Sequence, residues 1–273
     1  MDSIKTRKIG KTNMLVAELG LGAMDTPQIP EGEETIQLAL DAGINFIDTA
    51  RIHQDSEYLI GKVIRERAKK DFYISTKTMQ SERNAAQHDV DRSLRILGTN
   101  HIDLYQLGDV KESNWDQVMT EGGALEGLKI AQIRGLISYI GLSSHDLITV
   151  ERAIRSEEFD AVMVEYSAFY PDSKDLIELA HSLDVGIITM RPLGGSGRTS
   201  SIRTAQRQKE NYDGITAEML LKYVLSNQHI SVAIPGVRYP SRISENVSVA
   251  STYTPLDESQ KSRVESLASA LFS

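Results

Sequence analysis

The chain has 273 residues, of which 40% are hydrophobic and 25% charged, an ordinary globular composition. With 38 acidic and 30 basic residues its formal charge is −8, which argues against a nucleic-acid or anionic-membrane partner. The absence of cysteine excludes disulfides, iron–sulfur clusters and thiolate zinc sites, and is compatible with a cytoplasmic location. No apolar stretch approaches membrane length, and Met1-Asp2-Ser3-Ile4-Lys5 has no apolar leader core, so neither a membrane span nor a leader is expected.

Strand and helix patterns alternate along the whole chain. Arg7 to Val16 reads as a small hairpin turning at Gly10-Lys11-Thr12-Asn13 and plugging the bottom of a barrel. The first barrel strand is Glu18 to Ala23, followed by a helix from Glu33 to Ala42 that ends at Gly43. The second strand ends at Asp48, and its helix opens at Ser56-Glu57 and runs to Lys69. The third ends at Lys77, before a helix from Ala85 to Leu97 with Val90, Leu94 and Leu97 at helical spacing. The fourth ends near Leu107, before a helical region from Trp115 to Gly135 with a break at Gly122-Gly123. The fifth ends at Ser143-Ser144, with a helix from Asp146 to Ser156. The sixth is Ala161 to Tyr166, with a helix from Asp172 to Leu183. The seventh is Gly186 to Met190, followed by a long polar loop from Gly194 to Asp213 and a helix from Thr216 to Ser226. The eighth is Ser231 to Ile234, and helices from Ser241 and Asp257 close the chain. Eight strands alternating with helices over 273 residues, near the usual length of about 250, predict an α/β fold. It is a single (β/α)8 TIM barrel with an N-terminal β-hairpin, and no linker divides residues 1–273.

In such a barrel the ends of neighbouring strands share one mouth, where chemistry collects. Asp48 at the end of the second strand and Lys77 at the end of the third therefore stand side by side. The carboxylate would hold the ammonium charged and oriented, and Lys77 could then lower a neighbouring acid's pKa or polarise a carbonyl. A purely structural ion pair anchoring two strands is the alternative.

Ile44-Asn45-Phe46-Ile47-Asp48-Thr49-Ala50 followed by Asp55-Ser56-Glu57 resembles the aldo-keto reductase superfamily. So do Ser75-Thr76-Lys77, Ser93-Leu94, Ile102-Asp103-Leu104-Tyr105-Gln106-Leu107 and Gly141-Leu142-Ser143-Ser144. Arg191-Pro192-Leu193-Gly194-Gly195, Ala233-Ile234-Pro235-Gly236 and Glu245-Asn246 complete the series, in the family's order and over nearly the whole chain. The resemblance is to the subgroup with Asp-Thr-Ala-Arg and Pro-Leu-Gly-Gly. It implies a (β/α)8 barrel, NADP(H) as cofactor, and oxidation or reduction of a carbonyl or hydroxyl group on a small molecule.

The family's catalytic tetrad is Asp, Tyr, Lys and His. Asp48 and Lys77 match it. The tyrosine's place is taken by His53, and the histidine's place, after Tyr105-Gln106-Leu107, by Gly108. An imidazole titrates near 6.5, so His53 could act as a base or weak acid, with the neutral form favoured by Lys77 and opposed by Asp48. Gly108 leaves room for a bulkier substrate, a water or a close backbone approach. His145 could either cap the following helix or touch substrate.

For the cofactor, Ser143 and Ser144 match the residues that hold the carboxamide, whereas the sixth strand's glutamine is Met163. Met190 stands beneath the nicotinamide. Gly194-Gly195-Ser196-Gly197-Arg198 reads as a backbone-exposing loop suited to pyrophosphate, or else as a flexible loop, and Arg191 and Leu193 before it join the residues expected to bind cofactor. Gly236, Arg238, Arg242, Glu245 and Asn246 match the adenosine end, where Arg242 and a helix N-terminus suit a 2′-phosphate. Arg51, His53, Gln54, Lys111 and Arg191 point to a polar or anionic substrate such as a sugar derivative, or else to ordinary surface charge. No metal site is expected. The altered tetrad leaves three readings: an NADP(H)-dependent oxidoreductase, a redox-neutral lyase or isomerase using the nicotinamide transiently, and a non-catalytic NADP(H)-binding protein.

Overall fold

A computed structural model describes residues 3–67, 71–208 and 214–271. Two short strands, β1 (Thr6–Lys8) and β2 (Leu15–Ala17), pair antiparallel with Arg7 opposite Val16. The turn between them requires Gly10. Its φ is +46°, and a Cβ there would lie 2.4 Å from the Gly186 nitrogen. Arg7 fixes the hairpin to the barrel by bonding the carbonyls of Leu225 (2.7 Å), Asn227 (2.8 Å) and Ile230 (2.7 Å) and the Glu18 carboxylate (2.6 Å).

Eight parallel strands then follow, each leading to a helix. They are β3 (Leu21–Gly22), β4 (Phe46–Asp48), β5 (Tyr73–Thr78), β6 (Ile102–Leu107), β7 (Ile137–Ser143), β8 (Ala161–Glu165), β9 (Gly186–Met190) and β10 (Val232–Ile234). Each pairs with the next, and Gly20 N to Ala233 O (2.8 Å) and Ala233 N to Glu18 O (2.9 Å) join the last to the first. The helices are α1 (Gly32–Asp41), α2 (Ser56–Glu66), α3 (Arg83–Leu97), α4 (Trp115–Met119), α5 (Ala124–Ile133), α6 (Leu147–Arg155), α7 (Lys174–Ser182), α8 (Ser196–Gln208), α9 (Ala217–Leu225), α10 (Pro240–Thr252) and α11 (Glu258–Ala270). The fold is an α/β (β/α)8 barrel with an N-terminal hairpin. Among the described residues, no helix is long and apolar enough to cross a membrane.

Strand alternation divides the core in two. Outward side chains such as Leu21, Ile47, Ile74 and Tyr105 join the layer under the helices. Inward side chains Phe46, Leu104, Ala161, Met163, Ile188, Val232 and Ile234 fill the barrel together with Ile9, Met14 and Val16 of the hairpin. The bottom is therefore closed by apolar side chains, and the polar inward positions lie above this layer.

The main departure from the sequence pattern is the polar loop expected from Gly194 to Asp213. Ser196–Gln208 is a helix, while residues 209–213 lie outside the described ones. Helix α8 buries Ile202 and Thr199 in an otherwise polar run, so tertiary docking outweighs a weak local pattern. The break expected at Gly122-Gly123 separates α4 from α5.

Candidate active site

Asp48 ends β4, and Lys77 lies near the end of β5. Both are about 4% exposed. Lys77 Nζ donates to Asp48 Oδ2 (2.7 Å) and to the Thr49 carbonyl (2.7 Å). Asp48 Oδ1 accepts from Ser75 Oγ (3.0 Å) and Gln106 Nε2 (3.0 Å), and Gln106 also donates to Ser75 Oγ (2.7 Å). Burial pushes the Asp48 carboxyl above its ordinary range, opposed by the Lys77 charge and by these donors. Ser75 and Gln106 are site residues that the motif comparison passes over. Alternation could have found them, since positions 75, 77 and 106 all face inward.

His53 sits in the turn after β4, its amide bonded to the Ala50 carbonyl (3.0 Å). Its Nδ1 is buried and has no hydrogen-bond partner among the described residues. Burial and then the charge of Lys77 lower its pKa from 6.5 to about 4, so at neutral pH the ring is uncharged. Asp48 does not offset this. Arg51 does not face a substrate as the sequence suggested. Its guanidinium pairs with Glu57 and lies 3.8 Å from Asp89, and Glu57 in turn accepts from Thr76 (2.8 Å) and Ser93 (2.7 Å). This network anchors the His53 turn to α2, α3 and β5.

Gly108 is buried, and the space left by its missing side chain is filled from within the chain. A Cβ on Gly108 would lie 2.5 Å from Met79 Sδ, 2.7 Å from Met79 Cε and 3.1 Å from the Thr78 carbonyl oxygen. The main neighbour there is the Met79 thioether rather than backbone.

On the opposite side, Ser143 ends β7 next to Met163 in register, and Met163 and Met190 share the apolar interior. Ser144 is turned away from the mouth, its hydroxyl donating to the Val110 carbonyl (2.5 Å) and accepting from Asp146 N (3.0 Å). His145 caps nothing. Its Nδ1 lies 3.2 Å from Glu165 Oε2, which also accepts from Arg191 Nη1 (3.4 Å). Asp146 is the cap of α6 instead. Glu165 Oε1 is buried with no hydrogen-bond partner among the described residues, a feature no motif singled out. Lys111 pairs with Asp109 (3.2 Å) on the surface.

Arg191, Gly194 and Gly195 all have positive φ (51°, 79° and 90°) just before α8 begins, and the Gly194 amide closes this turn on the Arg191 carbonyl (2.8 Å). Leu193 is buried beneath it, and Gly197 lies in the first turn of α8 with nothing within 4 Å of a Cβ. Arg198 packs over Tyr170 (4.9 Å) and Phe169 (5.4 Å) and donates to the Gly194 carbonyl (3.2 Å), which places it behind the loop.

Past β10, Gly236 and Arg238 border Asp25, with Arg238 Nη2 3.8 Å from its Oδ2. Arg242 lies in the first turn of α10. Together with Glu245, Asn246, Arg203 and Arg207 it lines a cleft of about 500 Å³. Glu245 holds Arg242 and Arg203 (2.9 Å), and these guanidinium groups keep its carboxyl below the ordinary range although burial alone would raise it. The other lining carboxylate, Glu218, pairs with Lys222 (2.6 Å), so among the described residues three guanidinium groups face one carboxylate not paired with a lysine. Arg203 and Arg207 are missed by sequence because they lie in the segment read as a loop.

The model of the Aldo/keto reductase family matches residues 18–269. Among curated proteins, the chain is similar to an aldo-keto reductase of Strobilurus tenacellus, at 28% identity over 97% of this chain and 92% of the other. It is also similar to L-galactose dehydrogenase of Arabidopsis thaliana, at 25% identity over 98% and 95%. Among solved structures, the holo form of aldo-keto reductase AKR11C1 from Bacillus halodurans superposes with a TM-score of 0.81 over 97% of this chain and 96% of that one. Its identity is 22%, which shows the shared fold.

Proposed function

The chain belongs to the aldo/keto reductase family, and on that premise we propose that it is an NADP(H)-dependent oxidoreductase using Asp48, Lys77 and His53. The observation that carries this reading is the buried Lys77–Asp48 pair in the barrel mouth, held by Thr49, Ser75 and Gln106 and beside the turn of His53. A buried charge pair is expensive to desolvate and is a weak source of stability, so its presence at a strand end supports a chemical role.

The residues fit a dinucleotide phosphate. The arginine cleft supplies charge-assisted donors for a 2′-phosphate, with Asn246 buried beside it. The positive-φ loop at Arg191–Gly195 and the start of α8 offer amides to a pyrophosphate. Met163 and Met190 give an apolar floor, and the Ser143 hydroxyl and the Glu165 Oε1 acceptor suit the two ends of a carboxamide. When bound, NADP(H) donates or accepts a hydride.

Lys77 places a positive charge where negative charge develops on the reacting oxygen. Asp48 keeps that ammonium charged and aimed. His53 handles the proton. Because the ring rests uncharged, it can accept a proton from a substrate hydroxyl in oxidation, whereas reduction calls for the protonated ring. The test is fluorescence titration with NADPH followed by single-turnover assays in both directions. Absence of NADP(H) binding, or turnover untouched by Lys77→Met, would refute the proposal.

A further inference from the structure

The sequence points to a polar or anionic substrate, yet the charged side chains behind that expectation are held by partners within the chain. Arg51 is tied to Glu57, Arg191 to Glu165 and Lys111 to Asp109. Beside the Lys77–Asp48 pair stands an apolar side chain, that of Met79. Strand alternation places it. On β5, Ser75 and Lys77 face the barrel axis, and Met79 is the next inward position. On β6, Leu104 and Gln106 face inward, and Gly108 is next. Lys77 pairs with Gln106 in register, so Met79 and Gly108 meet one rung above the Lys77–Asp48 pair. Met24 lies in the turn that follows β3. Met24 is 49% exposed, and Ile52, in the turn that carries His53, is 64% exposed.

Resting on the oxidoreductase reading, we propose that Met79 is the specificity-determining residue of this site. Its thioether closes the β5–β6 wall and selects carbonyl or alcohol substrates that present a slim, unbranched apolar substituent to that wall. An exposed apolar residue alone is unremarkable. Here, however, three lie in the loops that follow consecutive strands β3, β4 and β5, and the tip of one of them packs over a glycine. A side chain at 108 would displace it, and a branched substituent beside Lys77 would compete for the same volume. The thioether carries no donor, so a hydroxyl-rich substituent loses its water there without replacement. An unbranched chain gains contact with Met79.

The experiment compares the wild type with Met79→Ala and Met79→Gln on hexanal, cyclohexanecarbaldehyde and D-glyceraldehyde, with kcat and KM resolved. In parallel, binding of hexan-1-ol and cyclohexylmethanol is measured calorimetrically, with and without NADP+. The wild type is expected to favour hexanal over the other two by about tenfold or more in kcat/KM. Met79→Ala should shift preference towards cyclohexanecarbaldehyde by about tenfold, mainly in KM, and cyclohexylmethanol should tighten in step. Met79→Gln should weaken hexanal and hexan-1-ol by about tenfold while sparing D-glyceraldehyde. Wild-type preference for glyceraldehyde, or variants that leave the ratios unchanged, would overturn the assignment. If no aldehyde is turned over, the alcohol affinities decide it by the same ratios. Failure of NADP+ to bind would instead defeat the oxidoreductase reading.

Discussion

Lys77 Nζ lies 2.7 Å from both Asp48 Oδ2 and the Thr49 carbonyl, so its three protons are directed at the strand-end carboxylate, the adjoining backbone and the mouth. Lys77→Met should abolish turnover. It should also destabilise the fold by about 3–5 kcal/mol, because the Asp48 carboxylate is left buried without its counter-charge. Adding Asp48→Asn to Lys77→Met should recover most of that stability, since Ser75 and Gln106 still satisfy an amide oxygen, while activity stays absent. Chemical denaturation of the two variants checks this. A double variant no more stable than Lys77→Met would show that the pair is not energetically coupled.

The arginine cleft predicts cofactor discrimination. Arg242→Ala should weaken NADPH by about 1.5–3 kcal/mol, as for a lost charge-assisted hydrogen bond, and Arg203→Ala should do the same, with NADH nearly unaffected. Glu245→Gln should tighten NADPH, because the carboxylate now held by both arginines competes with a phosphate. Fluorescence titration with both cofactors is the measurement. Equal losses for NADPH and NADH would remove the cleft from the 2′-phosphate.

Much of this arrangement is legible in the sequence where short motifs coincide with strand ends. Asp48 and Lys77 terminate apolar runs, so period-two alternation and the barrel rule suffice to bring them together. Arg203 and Arg207 are not legible, because α8 owes its helicity to docking around Ile202 rather than to any apolar stripe. The roles of Arg51 and Met79 are hidden for another reason. Arg51 is turned away by Glu57, which lies six positions on, and Met79 acquires meaning from Gly108 on another strand, a relationship fixed by register. Local patterns carry neither.

Gly108→His alone should be destabilising by about 1–3 kcal/mol, because the ring and Met79 claim one volume. Met79→Ala in the same chain should restore stability, and Met79→Ala alone should change it little, since that side chain is half-buried. A thermal-denaturation cycle over the four proteins reads the coupling. Additive effects would show that the two positions do not compete. Only in the background lacking Met79 should His53→Tyr with Gly108→His raise the reduction of simple aldehydes above that of the wild type.

The last prediction follows from the depressed pKa of His53. Its folded value, about 4, lies below the unfolded value of 6.5. Above pH 6.5 the ring is neutral in both states and adds no pH dependence. Between pH 6.5 and about 4 the unfolded chain takes up a proton that the folded site refuses, so stability falls as pH falls through that window. His53→Gln should flatten this part of the stability profile. For activity, a neutral ring acting as base should keep alcohol oxidation level from pH 8 down to about 5, with loss only below. Carbonyl reduction, which needs the protonated ring, should instead climb as pH drops towards 4. His53→Ala should lower both directions by about 10²–10⁴ and erase these opposed slopes, while NADPH affinity stays near that of the wild type. Profiles in both directions, measured with saturating cofactor, are decisive. A break near pH 6.5 would place the ring in water rather than beside Lys77, and slopes that survive His53→Ala would assign the proton to another group.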